Sequence, residues 1–284
     1  MRNGFTFKDR HSSEFGVTVQ TKSRPIRPSV KTYEVSMPHR DGSYDFSKSN
    51  SMGREMYNDR YFTVIISAGA DDICDMQTKI SRLSTWLMGS GDLIFDDMPL
   101  SVWKARLSDE IIYMPEHGGK KAVMEVTFRT EPFCDCAFDE QGPALEDAVL
   151  LSSEIPLEMD GYYRQRADGD SQMRIMNFGD CPMRPVIKLI SAACDVQLSL
   201  NGKTLFFWKP DTVEPVFVDF EKQQIINDDE ICEASGEFFE FPPGENILRI
   251  KSVFSDDITT TVYFTPKFMY DVDLSNIDWG DENA

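Results

Sequence analysis

Short segments of alternating or β-branched apolar residues recur through the second half of the chain, separated by turn residues, and this feature constrains the fold most. Such a series is typical of a β-sandwich. Asn201-Gly202 is the strongest hairpin signal, because both residues accept the positive φ of a tight turn. It joins two of the predicted strands, which lie at 173–178, 186–191, 196–200, 204–208, 216–220, 237–241, 246–251 and 259–264. We therefore expect a two-sheet β-sandwich.

The first half combines strands with one helix. Strands are predicted at 5–7, 15–19, 32–37, 60–67, 102–107 and 122–130, and the first two are expected to form a hairpin. Asp41-Gly42 is a turn signal. Five apolar residues spaced three or four apart predict a helix with one buried face: Ile73, Met76, Ile80, Leu83 and Leu87. Asp71 or Asp72 can cap its start, and Gly89 can end it in a left-handed conformation.

The charge distribution separates the two halves. Residues 1–135 hold 18 basic and 19 acidic side chains, a net charge of −1, whereas residues 136–284 hold 11 and 29, a net charge of −18. The total of −19 argues against nucleic-acid binding, which needs clustered cations. A chain of this length typically forms two domains. We expect an N-terminal domain at 1–138, a sandwich domain at 139–266 with a linker at 139–146, and an acidic tail at 267–284.

Several classes of protein are excluded by what the sequence lacks. The longest uncharged apolar run, 62–70, is too short to span a membrane, and the N-terminus has no signal-peptide core, so we expect synthesis in a cytoplasm. The six cysteines show no regular spacing and no neighbouring histidine. We therefore expect reduced thiols, no metal site and no cofactor.

No catalytic motif is complete. His39-Arg40-Asp41 is similar to a kinase catalytic triplet, but Phe46 stands where that motif requires asparagine, and no glycine-rich phosphate loop precedes it. Gly89-Ser90-Gly91 follows a helix and lacks the third glycine of a dinucleotide fingerprint. We therefore predict no catalytic residue and no enzyme. An enzyme that acts on cell-wall glycan is retained as an alternative for one reason. Glycosidases use a pair of carboxylates, and among 48 carboxylates some close pairs are unavoidable.

The aromatic run 206–208 follows the Asn201-Gly202 turn and has two interpretations. Phe206 and Trp208 could stack on a sugar ring, because an aromatic face packs well against apolar C–H groups. The alternative is packing inside the sandwich, and alternation requires that at least one of the three residues is buried.

The order of several short motifs resembles that of the distal tail proteins of siphophages. The matching segments are Gly4-Phe5-Thr6-Phe7, Ser13-Glu14-Phe15-Gly16-Val17, Arg40-Asp41-Gly42-Ser43-Tyr44-Asp45-Phe46, Leu93-Ile94-Phe95-Asp96-Asp97, Trp103-Lys104-Ala105, residues 177–187 and residues 242–248. The resemblance implies a mainly β protein. Its N-terminal α+β domain would hold a split β-barrel-like sheet and one helix, and its C-terminal domain would be a galectin-like β-sandwich.

The resemblance also implies a function. It indicates a structural virion protein of a phage or prophage tail, forming a homohexameric ring at the distal end of the tail tube. Its partners would be the tail tube protein, a tail-associated tip or lysin protein, and a receptor-binding protein or a host cell-wall saccharide. Ring or partner contacts are expected at Arg40, Asp41, Gly42, Tyr44, Asp45 and Phe46. The alternative is a host-surface carbohydrate-binding protein that acts through the sandwich.

Overall fold

The computed structural model describes residues 4–49, 53–136, 162–167, 171–177, 179–191, 195–208, 215–227, 230–252 and 258–272. The chain divides into two compact units. Unit 1 comprises Met1–Ala137 and Met269–Val272, and unit 2 comprises Phe138–Phe268 and Asp273–Ala284. Strands dominate both units, so the prediction of a mainly β fold is confirmed. The predicted linker and the tail from residue 273 lie outside the described residues.

Unit 1 contains one α-helix among its described residues, α1 (Ile73–Leu87), and two short 3₁₀ helices at Ser12–Phe15 and His117–Gly119. Its strands are β1 (Phe5–Phe7), β2 (Arg10–His11), β3 (Val17–Ser23), β4 (Glu34–Ser36), β5 (Ser43–Asp45), β6 (Arg60–Gly69), β7 (Ser90–Phe95), β8 (Met98–Leu107), β9 (Ile112–Glu116), β10 (Lys121–Thr130) and β11 (Cys134–Cys136).

The main sheet of unit 1 is antiparallel and follows the order β2-β1-β7-β8-β10-β6-β3, with β9 added to β10 and β11 to β8. Strand β10 pairs with β6 over its whole length. The predicted hairpin between residues 5–7 and 15–19 is wrong, because β1 pairs with β2 and β7, and β3 pairs with β6. A 3₁₀ turn capped by His11 occupies Ser12–Phe15 and ends at Gly16 with φ +60°, so the chain leaves the plane of β1.

Helix α1 closes the core of unit 1. The Asp72 carboxylate accepts a hydrogen bond from the Asp75 amide at 2.8 Å, which confirms the predicted cap. Trp86 stacks on Phe15 at 4.3 Å between ring centroids and donates from Nε1 to the Phe7 carbonyl at 2.9 Å. Ile73, predicted for the buried face, is half exposed because it lies in the first turn. The buried face consists instead of Met76, Leu83, Trp86 and Leu87.

Unit 2 contains strands β12 (Tyr162–Ala167), β13 (Ser171–Asn177), β14 (Val186–Ser191), β15 (Asp195–Leu200), β16 (Lys203–Trp208), β17 (Val216–Asp219), β18 (Gln224–Asn227), β19 (Glu230–Ile231), β20 (Ala234–Gly236), β21 (Gly244–Lys251), β22 (Ile258–Tyr263) and β23 (Lys267–Phe268). Asn201 and Gly202 both have positive φ between β15 and β16, so the predicted hairpin is confirmed. The strand predicted at 237–241 is wrong, because the only bridge of this segment to another described residue is the isolated one from Phe241 to Met183.

Two antiparallel sheets of unit 2 share one apolar core. The six-stranded sheet has the order β12-β22-β14-β17-β18-β19, and the five-stranded sheet has the order β13-β21-β15-β16-β20. Ile187 and Val218 from the first sheet and Leu198 and Phe207 from the second belong to the same buried cluster. The two sheets therefore pack face to face, and the predicted two-sheet sandwich is confirmed.

Candidate functional site

Residues 31–49, here called the arm, form an excursion of unit 1 that carries β4 and β5. Among the strands that the structure describes, these two pair only with each other, through Glu34↔Asp45, Val35↔Tyr44 and Ser36↔Ser43. None of the residues 31–49 is buried. Because a two-stranded hairpin without a covered apolar face is marginally stable alone, the arm is suited to gaining its stability from a partner surface.

The base of the arm is tied to a neighbouring segment of unit 1. The Lys31 amide donates to the Met56 carbonyl at 2.7 Å, and the Asn58 amide donates to the Ser29 carbonyl at 2.9 Å. The Asn58 side chain adds a bond from Nδ2 to Ser29 Oγ at 3.1 Å. The base is thus held by backbone hydrogen bonds, while the hairpin beyond it remains exposed.

One side of the arm is aromatic. Phe46 lies 6.2 Å from Tyr33 and 6.2 Å from Tyr44, measured between ring centroids, and the Arg40 guanidinium carbon lies 3.7 Å from the centre of the Tyr44 ring. The exposed fractions are 66% for Tyr33, 44% for Tyr44 and 43% for Phe46. Aromatic and arginine side chains are enriched at the centres of protein interfaces. The composition of this surface is therefore typical of a protein interface.

Hydrogen bonds fix the strand ends around these aromatic residues. The Phe46 amide donates to the Tyr33 carbonyl at 2.8 Å, and the Tyr33 amide donates to Ser47 Oγ at 2.9 Å. The Asp45 carboxylate accepts from the Ser47 amide at 2.8 Å. Hydrogen bonds from the Ser47 side chain and backbone lower the pKa of Asp45, so its carboxylate is charged at neutral pH.

The predicted contact residues all lie on the arm, and the structure brings Arg40, Tyr44 and Phe46 together. Gly42 has φ +76° in the connection between the strands, as the turn signal predicts. Tyr33 was missed by the sequence analysis. Its signal was the hairpin itself, because a turn at Asp41-Gly42 places residues before β4 opposite residues after β5.

Phe206 and Trp208 lie in unit 2 on the same side of β16, and Phe207 between them is buried. Phe206 is 38% exposed and Trp208 is 57% exposed. Alternation along the strand therefore divides the aromatic run between the core and the surface.

In the described part of the chain, no group of three or more histidine, cysteine or acidic side chains is placed to hold a metal ion. No helix in those same ranges is long and apolar enough to cross a membrane. No disulfide joins the described cysteines, and burial raises the pKa of both Cys134 and Cys136 to about 12.

Unit 1 is built on a large antiparallel sheet with one helix, and unit 2 is a β-sandwich. This mainly β fold occurs among known structures. No protein-family model matches the chain, and no curated protein matches it in sequence. The crystal structure of SPP1 Dit matches with a TM-score of 0.60 and 14% identity, covering 94% of this chain and 99% of that chain. SPP1 Dit is described as a paradigm of the hub adsorption apparatus in phages that infect Gram-positive bacteria. The chain therefore shares the fold of a phage hub protein over nearly its whole length.

Proposed function

We propose that this chain is a distal tail protein, a structural hub in the adsorption apparatus of a phage or prophage with a long non-contractile tail. The observation that carries the proposal is the fold shared with SPP1 Dit across both units. The ordered sequence motifs support the same assignment, because they span both units and lie in the order typical of distal tail proteins.

Unit 1 would form a homohexameric ring, and the arm would be the main contact between neighbouring copies. The exposed Tyr33, Tyr44 and Phe46 support this role, since aromatic side chains contribute large contact area at interfaces. The arm holds three basic and three acidic residues, Lys31, Arg40, Lys48, Glu34, Asp41 and Asp45. Neutral arms can gather around one axis without net repulsion.

The ring would lie at the distal end of the tail tube, in the virion. It would connect the tail tube protein on one side with a tip or lysin protein on the other, and it could hold a receptor-binding protein. Unit 2 would supply the galectin-like sandwich. Synthesis and assembly would take place in the cytoplasm of the bacterial host.

Electron microscopy of the purified full chain tests this proposal. We expect closed rings with sixfold symmetry for the native chain. Replacing Tyr44 and Phe46 together by alanine removes two of the three exposed aromatic side chains of the arm without changing a buried residue, so it should shift rings toward monomers. Phe217→Ala is the matched control, because Phe217 is an exposed aromatic residue of unit 2.

The possible results separate the two parts of the proposal. Native protein that stays monomeric at high concentration would contradict ring formation. If rings persist in the double variant, the proposal of ring formation is retained and the role of the arm as the contact is refuted.

A further inference from the structure

The outward side of the five-stranded sheet in unit 2 carries an unusual combination of side chains. Strand β16 presents Phe206 and Trp208, and its neighbours present hydroxyl, amide and guanidinium groups. We call this surface the sheet face and define it by Gln197, Ser199, Thr204, Phe206, Trp208 and Arg249. Each of these residues is exposed or half-buried.

The strand register places these groups next to one another. Ser199 lies directly opposite Thr204 on β16 and opposite Arg249 on β21, and Gln197 lies opposite Phe206. The Ser199 and Thr204 hydroxyls are 3.4 Å apart. Because neighbouring strands are about 4.8 Å apart, Arg249 and the β16 side chains span about 10 Å, which is enough for two sugar rings.

The chemistry of the sheet face suits a saccharide better than an apolar partner. A pyranose offers an apolar C–H face, which Phe206 or Trp208 can cover, and a rim of hydroxyls, which amide and hydroxyl side chains can bind. The centre of the face, at Ser199 and Thr204, is polar. An apolar partner would bury these groups without replacing their bonds to water.

The charge on the sheet face indicates which saccharides fit. Arg249 is exposed, and no carboxylate among the described residues forms an ion pair with it. The acidic residue opposite Trp208 is Asp195, but it is buried and accepts a hydrogen bond from Ser252 at 3.3 Å. The exposed guanidinium can therefore bind a carboxylate or phosphate through two hydrogen bonds.

We propose that the sheet face binds a saccharide that carries a carboxylate or a phosphate. One sugar ring stacks on Phe206 or Trp208, and the anionic group pairs with Arg249. The net charge of −18 on residues 136–284 opposes a densely charged polymer such as a nucleic acid. A sugar with isolated charges can pair with the Arg249 guanidinium and avoids most of that repulsion. The inference is independent of ring formation.

Calorimetric titration of the full chain tests the site with two pairs of probes. Aldotriouronic acid, a trisaccharide with one carboxylate, is compared with its neutral methyl ester, and phosphopentamannose is compared with the same sugar after phosphatase treatment. We expect at least one charged member to bind at least tenfold more tightly than its neutral partner, and raised salt should weaken that binding. The pair that shows the preference identifies the anionic group as carboxylate or phosphate.

Variants assign the binding to the sheet face. Trp208→Ala should lower the affinity for the charged sugar at least tenfold, and Arg249→Ala should remove the preference for it. Both side chains are exposed, so thermal unfolding should match that of the native chain. Phe217→Ala, on the other sheet, is the control and should bind as the native chain does.

Each of the following results overturns the proposal. The first is that neither charged sugar binds at millimolar concentration, and the second is that charged and neutral sugars bind equally. The third is that binding persists unchanged in both variants. The fourth is that a thymidine hexanucleotide binds with the same dependence on Trp208, which would assign the face to nucleic acid.

Discussion

The C-terminal return of the chain to unit 1 can be tested by two truncations. One variant ends after Phe268 and lacks residues 269–272, which belong to unit 1. The matched control ends after Val272 and keeps them. We expect unit 1 to be less stable in the shorter variant than in the control. A domain that needed only residues 1–138 would have the same stability in both variants.

The contacts that the shorter variant loses are specific. Arg60, only 2% exposed, donates from its guanidinium to the Met269 carbonyl. Ser101, fully buried, donates to the Asp271 carboxylate at 2.7 Å and accepts from the Val272 amide at 3.1 Å. Truncation after residue 268 therefore leaves two buried polar side chains without these partners.

The size of the effect follows from these losses. Burying Val272 contributes about 1.5–3 kcal/mol. The hydrogen bond from Ser101 to a carboxylate contributes about 1.5–3 kcal/mol, and leaving the buried Arg60 donor unmatched costs about 1–3 kcal/mol. Water that enters the vacated space recovers part of this sum, so we expect about 4 kcal/mol. For a unit of this size, this corresponds to a fall in Tm of about 15 °C.

Tryptophan fluorescence during thermal unfolding reports the effect. Both variants retain Trp86 and Trp103, which are buried in unit 1, and Trp208, which is exposed in unit 2. The emission shift on unfolding therefore follows mainly unit 1. Equal midpoints for the two truncations would refute the reasoning, because they would show that residues 269–272 contribute nothing to the stability of unit 1.

Two further predictions concern buried thiols and a glycine. Cys134 and Cys136 should resist alkylation at neutral pH while the exposed Cys74 reacts, as mass spectrometry of the folded protein can show. Burial raises the pKa of both buried thiols to about 12, above the value of about 9 in the unfolded chain. Their contribution to the free energy of unfolding is therefore complete below pH 9. Between pH 9 and 12 the free energy of unfolding should fall by about 1.4 kcal/mol per thiol for each pH unit, and urea midpoints that do not change across this range would contradict the burial. Gly236→Ala should destabilise unit 2 by about 2–4 kcal/mol, because Gly236 has φ +104° and an added Cβ would lie 2.1 Å from the Thr204 carbonyl oxygen. Gly202→Ala, at φ +81° in open space, should cost only about 1 kcal/mol by urea unfolding, and equal losses would show that the close contact is unimportant.

Local patterns predicted the local structure well. The helix, the strand β10 with its alternation of buried residues, and the hairpin at Asn201-Gly202 follow from periodicity and turn chemistry within a few residues. The pairing of β1 was predicted wrongly because its partner β7 is about 90 residues away, and no local signal specifies that register. The burial of Arg60 was not predictable either, since its acceptors are the distant carbonyls of Pro25 and Met269.

The candidate sites also combine features that are local in the sequence with features that only long-range pairing creates. The segment around Arg40 and Phe46 was selected through its resemblance to a family, while its isolation from the main sheet became visible only in the fold. Phe206 and Trp208 were predicted as a candidate site because they lie in an aromatic run that follows the Asn201-Gly202 turn. The neighbouring Arg249 was missed, because it lies more than 40 residues later in the sequence and reaches the same surface only through the pairing of β15 with β21.

The two exposed aromatic surfaces differ in how they are held, and this difference separates their uses. On the arm, Phe46 lies next to both Tyr33 and Tyr44 on a two-stranded hairpin that pairs with no other described strand. Such a hairpin can adjust to a large partner, and it gains order when a protein covers it. Phe206 and Trp208 stand on a strand that is paired on both edges and backed by the sandwich core. A rigid, shallow surface of this kind loses little entropy when a small ring stacks on it. These differences agree with the protein contact that we propose at the arm and the saccharide contact that we propose on the sheet face, and we expect mutation to remove each contact without affecting the other.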